Sequence, residues 1–132
     1  MMKKILTLIV LLAIVWAVPA LRNRIGLAAV PVLEKLGPAG EKAANPFRRW
    51  EARNELSFYL RMMNDDRTEA RALPDERDFS EWVRRRMPEE TGIDPWGGSY
   101  WLRRRGNEYI VGSNGPDGVR DTPDDVTQSA TM

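Results

Sequence analysis

Asp117, Asp121, Asp124 and Asp125 put four carboxylates into nine residues near the C-terminus. They lie in the stretch Ser113-Asn114-Gly115-Pro116-Asp117-Gly118-Val119-Arg120-Asp121-Thr122-Pro123-Asp124-Asp125-Val126. The interspersed glycines and prolines force the backbone to turn, so carboxylate and carbonyl oxygens can converge. Ca2+ takes about six to eight oxygens at roughly 2.3–2.6 Å, and a tight acidic loop supplies both kinds of oxygen. This is not an EF-hand, because the D-x-[DN]-x-[DN]-G spacing and its closing Glu are absent. An ordinary acidic surface loop is the competing account, and composition alone favours neither.

The rest of the composition narrows the chemistry. The 132 residues include no Cys and no His. Disulfides, thiolate nucleophiles, Ser-His triads and His- or Cys-ligated metals are therefore excluded. Twenty Lys and Arg stand against nineteen Asp and Glu, a net charge of +1. So balanced a chain argues against a nucleic-acid partner, which calls for a basic excess. Paired carboxylates can hydrolyse a sugar, but an acidic loop has no apolar pocket to separate their two pKa values. The expectation is a binding or structural protein, not an enzyme. The charge is also uneven: residues 1–46 are net +4, residues 47–105 net +1, and residues 106–132 net −4.

The elements that must carry this loop begin with Met1-Met2-Lys3-Lys4 and an apolar run from Ile5 to Ala20, broken only by Thr7 and Pro19. As a helix the run reaches about 24 Å, short of the roughly 30 Å hydrocarbon core. It fits a cleaved signal peptide ending at Val18-Pro19-Ala20, or a retained anchor that draws length from residues 21–32. A buried core helix fits poorly in so small a chain. The apolar positions 25, 28, 29, 32, 33 and 36 continue the helical stripe, which favours the anchor. Residues 1–36 then form a transmembrane helix and its extension, and residues 37–132 a soluble domain. Lys3 and Lys4 balance Arg22 and Arg24 across the run, so positive-inside counting does not settle orientation. For a bacterial source the expectation is a single-pass inner-membrane protein with its C-terminal domain in the periplasm or outside.

Gly37-Pro38-Ala39-Gly40 should break the first helix. Asn45-Pro46 reads as the N-cap and first residue of the next one, running to about Met63 and stopped by Asn64-Asp65-Asp66. Its apolar stripe is Ala52, Leu56, Tyr59, Leu60 and Met63. Asp78-Phe79-Ser80-Glu81 has capping-box spacing and predicts a short helix to Met87, ended by Pro88. Strands are expected at 99–104 and 108–112, joined by a Gly106-Asn107 turn. These strands should form a sheet that packs the 52–63 face and the 25–36 stripe. The Arg103–Arg105 run reads as a charge-guarded strand edge and Arg84–Arg86 as a solvated helix face. Trp50, Trp82, Trp96 and Trp101 read as core.

Asp94-Pro95-Trp96-Gly97-Gly98-Ser99-Tyr100, a strand pair, and then Ser-x-Gly-Pro-Asp-Gly leading to Asp-Asp-Val resemble the C-terminal half of the major pseudopilin of bacterial type II secretion systems. The resemblance covers 94–126, with a weaker echo in Val18-Pro19. It implies an α+β fold in which a long N-terminal helix, half of it in the membrane, packs on a small antiparallel sheet. It also implies a calcium-binding aspartate loop. Carried over by position, Asp117 and Asp124 would be side-chain ligands, Asn114 and Val126 would offer carbonyls, and Asp125 is a further candidate. The implied function is that of a calcium-stabilised structural subunit of a pilus-like secretion assembly, partnered by the membrane, by other pseudopilin-like subunits and by copies of itself. The runner-up is a free-standing envelope protein that uses the same loop domain as a binding module. The resemblance does not reach the leader: the Gly before the helix and the Glu five residues into it, both usual in pseudopilins, are absent.

Overall fold

The fold is α+β, with a long helix packed on a three-stranded antiparallel sheet. The structure is a computed structural model and describes residues 30–87 and 92–132. The proposed anchor Ile5–Ala20, the start of the 25–36 stripe and Pro88–Glu90 lie outside the described residues. Among the described residues no helix is long and apolar enough to cross a membrane. The chain divides into two compact units, Met1–Phe47 and Arg48–Met132.

Residues 30–34 are helical and turn at 35–37. Gly37 adopts φ 70°, and its amide donates to the Glu34 carbonyl at 3.2 Å, closing that helix. Pro38 follows as the first residue of α1, Pro38–Thr68, where its missing N–H costs nothing. The break is therefore where the Gly-Pro pair places it. Val32 and Leu36, however, are 64% and 66% exposed, so this part of the 25–36 stripe is not core.

The boundaries of α1 differ from expectation at both ends. Asn45 is not an N-cap, because the helix runs straight through Pro46. One lost hydrogen bond is outweighed by good helix formers on either side, among them Lys42, Ala43, Ala44, Glu51 and Ala52. Nor do Asn64-Asp65-Asp66 stop it. It ends at Thr68 in a Schellman arrangement, with Ala70 N–H donating to the Arg67 carbonyl (3.1 Å) and Arg71 N–H to the Asp66 carbonyl (2.8 Å). Ala70 takes the left-handed position usually filled by glycine, at φ 55°.

Helix α2, Phe79–Arg86, buries Phe79, Trp82 and Val83 at i, i+3 and i+4. The expected capping box is not formed, since Asp78 makes no side-chain cap bond and has helical backbone angles. Asp75 does related work one turn earlier, its Oδ1 accepting from the amides of Arg77 (2.7 Å) and Asp78 (2.9 Å).

Strand β1, Trp101–Arg105, pairs with β2, Glu108–Ser113, through a two-residue turn that leaves Arg105 opposite Glu108. Gly106 sits at φ 59° while Asn107 keeps negative φ, the pattern of a type II′ turn. Strand β3, Val126–Thr131, pairs antiparallel with β2 to give the order β1-β2-β3.

One cluster joins these parts: Ala52, Leu56, Tyr59, Leu60 and Met63 of α1, the three buried residues of α2, and Tyr100, Leu102, Tyr109, Val111 and Val126 around the sheet. Tyr59 packs edge-on to Phe79 (5.9 Å between ring centres) and to Tyr100 (5.4 Å). Trp82 is core; Trp50, Trp96 and Trp101 are only half-buried.

Candidate functional site

The aspartate loop leaves β2 at Ser113 and returns into β3 at Val126, and those two residues face each other across the ladder. Its first turn is a 3-10 helix, Gly115–Asp117, closed by Gly118 at φ 67°. Its two arms approach closely. A Cβ built on Gly115 would come within 2.2 Å of the Asp124 carbonyl oxygen, so only glycine fits there. Arg49, on α1, donates to that same carbonyl at 3.2 Å.

Trp101 is the post on which the loop is fastened. Its ring lies across Gly112, where a Cβ would fall 2.3 Å from Cζ2. Its Nε1–H donates to Asn114 Oδ1 at 2.8 Å, and Asn114 Nδ2–H donates on to the Gly118 carbonyl at 3.2 Å. The Arg120 guanidinium stands 4.0 Å from the ring centre, and Arg103 approaches at 5.6 Å. Arg103 also grips both oxygens of Asp121 at 3.1 Å. That contact holds the Asp121 carboxyl below its ordinary range and raises the Arg103 guanidinium.

The four carboxylates thus have different employment. Asp121 is paired with Arg103. Asp125 accepts the Asp121 amide at 2.9 Å and faces the Thr122 hydroxyl at 3.4 Å. Asp117 is exposed and uses one oxygen to hold the Val119 amide at 2.9 Å. Only Asp124 has no partner for its carboxylate among the described residues, where its recorded contact is through the carbonyl. Of the residues singled out from sequence, Asn114 spends its amide oxygen on Trp101, and Val126 is buried in the ladder. Among the described residues no three acidic side chains are grouped to hold a metal ion. The donors that fit a hard cation are two carboxylates, Asp117 and Asp124, supplemented by loop carbonyls.

Asp94 heads the Asp-Pro-Trp-Gly motif, but the sequence expectations give it no role at the site. It is buried, and its Oδ1 accepts the amides of Trp96 (3.0 Å) and Gly98 (2.8 Å). Its Oδ2 accepts from the Ser113 hydroxyl at 2.5 Å, and the Ser113 Oγ in turn accepts from the Gly115 amide at 3.0 Å. The Asp-Pro-Trp-Gly turn is thereby tied to the mouth of the aspartate loop, a link between residues nineteen positions apart. The adjacency of the two motifs in sequence order was the only available signal.

Asp75 and Glu76 line a concavity of about 280 Å3 with Leu73, Pro74, Leu102, Arg104 and Tyr109. Both acids are spent on backbone amides, Asp75 on those leading into α2 and Glu76 on Arg104 N–H at 2.8 Å. They are structural.

No family model, curated protein or solved structure matches this chain.

Proposed function

We propose that the chain is a pseudopilin-like structural subunit of a membrane-associated secretion or pilus-like assembly, its C-terminal domain stabilised by Ca2+ at the aspartate loop. The observation that carries this reading is the order of parts: a long helix, the Asp94 turn, a hairpin, then a Gly-backed aspartate loop closing onto a third strand. The Asp124 carboxylate, beside the Gly115 turn and without a partner among the described residues, supports the calcium component. Asp117 and Asp124 would hold the ion by their side chains, with carbonyls around Asn114 and Val126 and the Asp125 carboxylate nearest to complete the shell. The ion would supply positive charge to a segment of net charge −4. It takes no part in a reaction, and no catalytic role is assigned.

Residues 5–20 would anchor this domain in the inner membrane, leaving it in the periplasm or outside. Deleting the coding sequence in the source cell and comparing the proteins released to the medium tests the assembly role. Selective loss of secreted proteins, restored by the wild-type chain, is expected. Unchanged secretion would leave the free-standing envelope module as the better account.

A further inference from the structure

Asn114 is the only Asn in the chain followed by Gly. That dipeptide is the one most prone to modify itself, because no side chain on the glycine hinders attack by its nitrogen. The Gly115 nitrogen adds to Asn114 Cγ, the Cγ–Nδ2 bond breaks, and the Gly115 amide proton leaves with Nδ2 as ammonia. Water then opens the five-membered succinimide to give Asp or isoaspartate at 114. The fold needs both residues of this labile pair. A Cβ at 115 would strike the Asp124 carbonyl. The Asn114 side chain accepts from Trp101 Nε1 and donates to the Gly118 carbonyl, a combination that calls for one acceptor and one donor.

The closed loop holds the reaction off. With Asn114 at ψ 1°, the Gly115 nitrogen lies beside the backbone nitrogen of Asn114 and is turned away from its Cβ. Ring closure needs rotation about the Asn114 Cα–C bond until the Gly115 nitrogen meets Cγ. That rotation breaks the hydrogen bond from the Gly115 amide to Ser113 Oγ, and Gly115 is buried. Ser113 is itself fixed on buried Asp94. At the other end, Trp101 and the Gly118 carbonyl keep the Asn114 amide where it is.

We infer that Asn114 is a modification site gated by the fold. While the loop is closed it stays an amide; when the loop opens, it converts itself to Asp or isoaspartate. The Trp101 Nε1–H and Ser113 Oγ are the gate. The change is one-way in structure as well as in chemistry. A carboxylate at 114 still accepts from Trp101 but has no hydrogen for the Gly118 carbonyl, so two oxygens face each other where a hydrogen bond stood. Isoaspartate also lengthens the backbone between Ser113 and Gly115, where the two arms of the loop are closest. Either product takes the net charge of residues 106–132 from −4 to −5. None of this requires a bound cation.

The full chain, purified in mild detergent, is held at mildly alkaline pH with and without guanidinium. Peptide mapping that separates Asn, Asp and isoaspartate then reads residue 114. Wild type should convert about tenfold faster, or more, in guanidinium than when folded. In guanidinium Asn114 should convert ahead of Asn64, which precedes an Asp. Trp101→Phe keeps a ring but loses the Nε1–H, and Ser113→Ala loses the hydroxyl that holds Gly115. Each, below its own melting midpoint, should convert about threefold faster than folded wild type, as expected for one lost hydrogen bond. In guanidinium both should match wild type. A folded wild type that converts as fast as the denatured chain would overturn the proposal. Folded Trp101→Phe and Ser113→Ala chains that convert at the wild-type rate overturn it equally. So does an acceleration that persists in guanidinium, the mark of altered intrinsic chemistry and not of an opened loop.

Discussion

Asp66 and Trp82 show how a single side chain decides more here than composition suggests. Asp66 is 2% exposed at the end of α1, and it accepts from Trp82 Nε1 (3.3 Å) and Arg71 (3.2 Å) and pairs closely with Arg86. Replacing it by Ala strands a partly buried guanidinium and an indole N–H. The expected cost is about 3–5 kcal/mol by urea denaturation. Trp82→Ala opens a cavity against Phe79 and should cost roughly 3–5 kcal/mol; a loss under about 1 kcal/mol would show that its ring is not packed. Tyr100 donates its hydroxyl to Glu55, and burial, reinforced by that carboxylate, pushes its phenol upward. A phenol held neutral in the folded state stabilises below the ordinary tyrosine pKa, near 10, and loses that contribution as pH rises further. Alkaline unfolding above about pH 10 should therefore be less steep in Tyr100→Phe. The Asp121 carboxyl has the opposite sign. Its support for the loop is present above the ordinary carboxylate range and disappears as pH falls through its lowered value, and Arg103→Gln should restore an ordinary titration by NMR.

Among the elements, local patterns predicted what local forces decide. The Gly37 break, the 52/56/59/60/63 stripe and the Gly106-Asn107 turn depend on backbone freedom and periodicity, and all three stand. What was not legible depends on residues distant in sequence. Asn64-Asp65-Asp66 has the composition of a helix stop, yet the helix continues because Asp66 finds Trp82, Arg71 and Arg86. Asp78 has the spacing of a cap, yet Asp75 holds that turn. The loop was visible as a segment. Its fastening by Trp101, Arg103 and Asp94 was not, because those contacts arise only once the hairpin has formed. The Schellman end of α1 supplies a test of this scale. Ala70 pays the left-handed penalty that glycine avoids, so Ala70→Gly should stabilise by about 1 kcal/mol, read as a higher denaturation midpoint at unchanged slope.

For the whole molecule, the described residues form a long helix packed on a sheet whose last two strands are joined by the aspartate loop. Intact mass of the membrane-extracted chain should show residues 5–20 retained, whereas a chain starting at Leu21 would mean a cleaved signal. The calcium component is the centre of the account, and thermal melting of the full chain in calcium, magnesium and chelator tests it most directly. An ion that binds only the folded state adds about 2.7 kcal/mol at a hundredfold excess over its dissociation constant. The wild-type midpoint should rise with millimolar calcium, rise less with magnesium and fall with chelator. Asp117→Ala and Asp124→Ala should lose that response. Asp121→Ala, whose carboxylate is engaged by Arg103, should keep it from a lower starting point. A wild-type midpoint indifferent to millimolar calcium would contradict the account and leave an arginine-pinned acidic loop in its place.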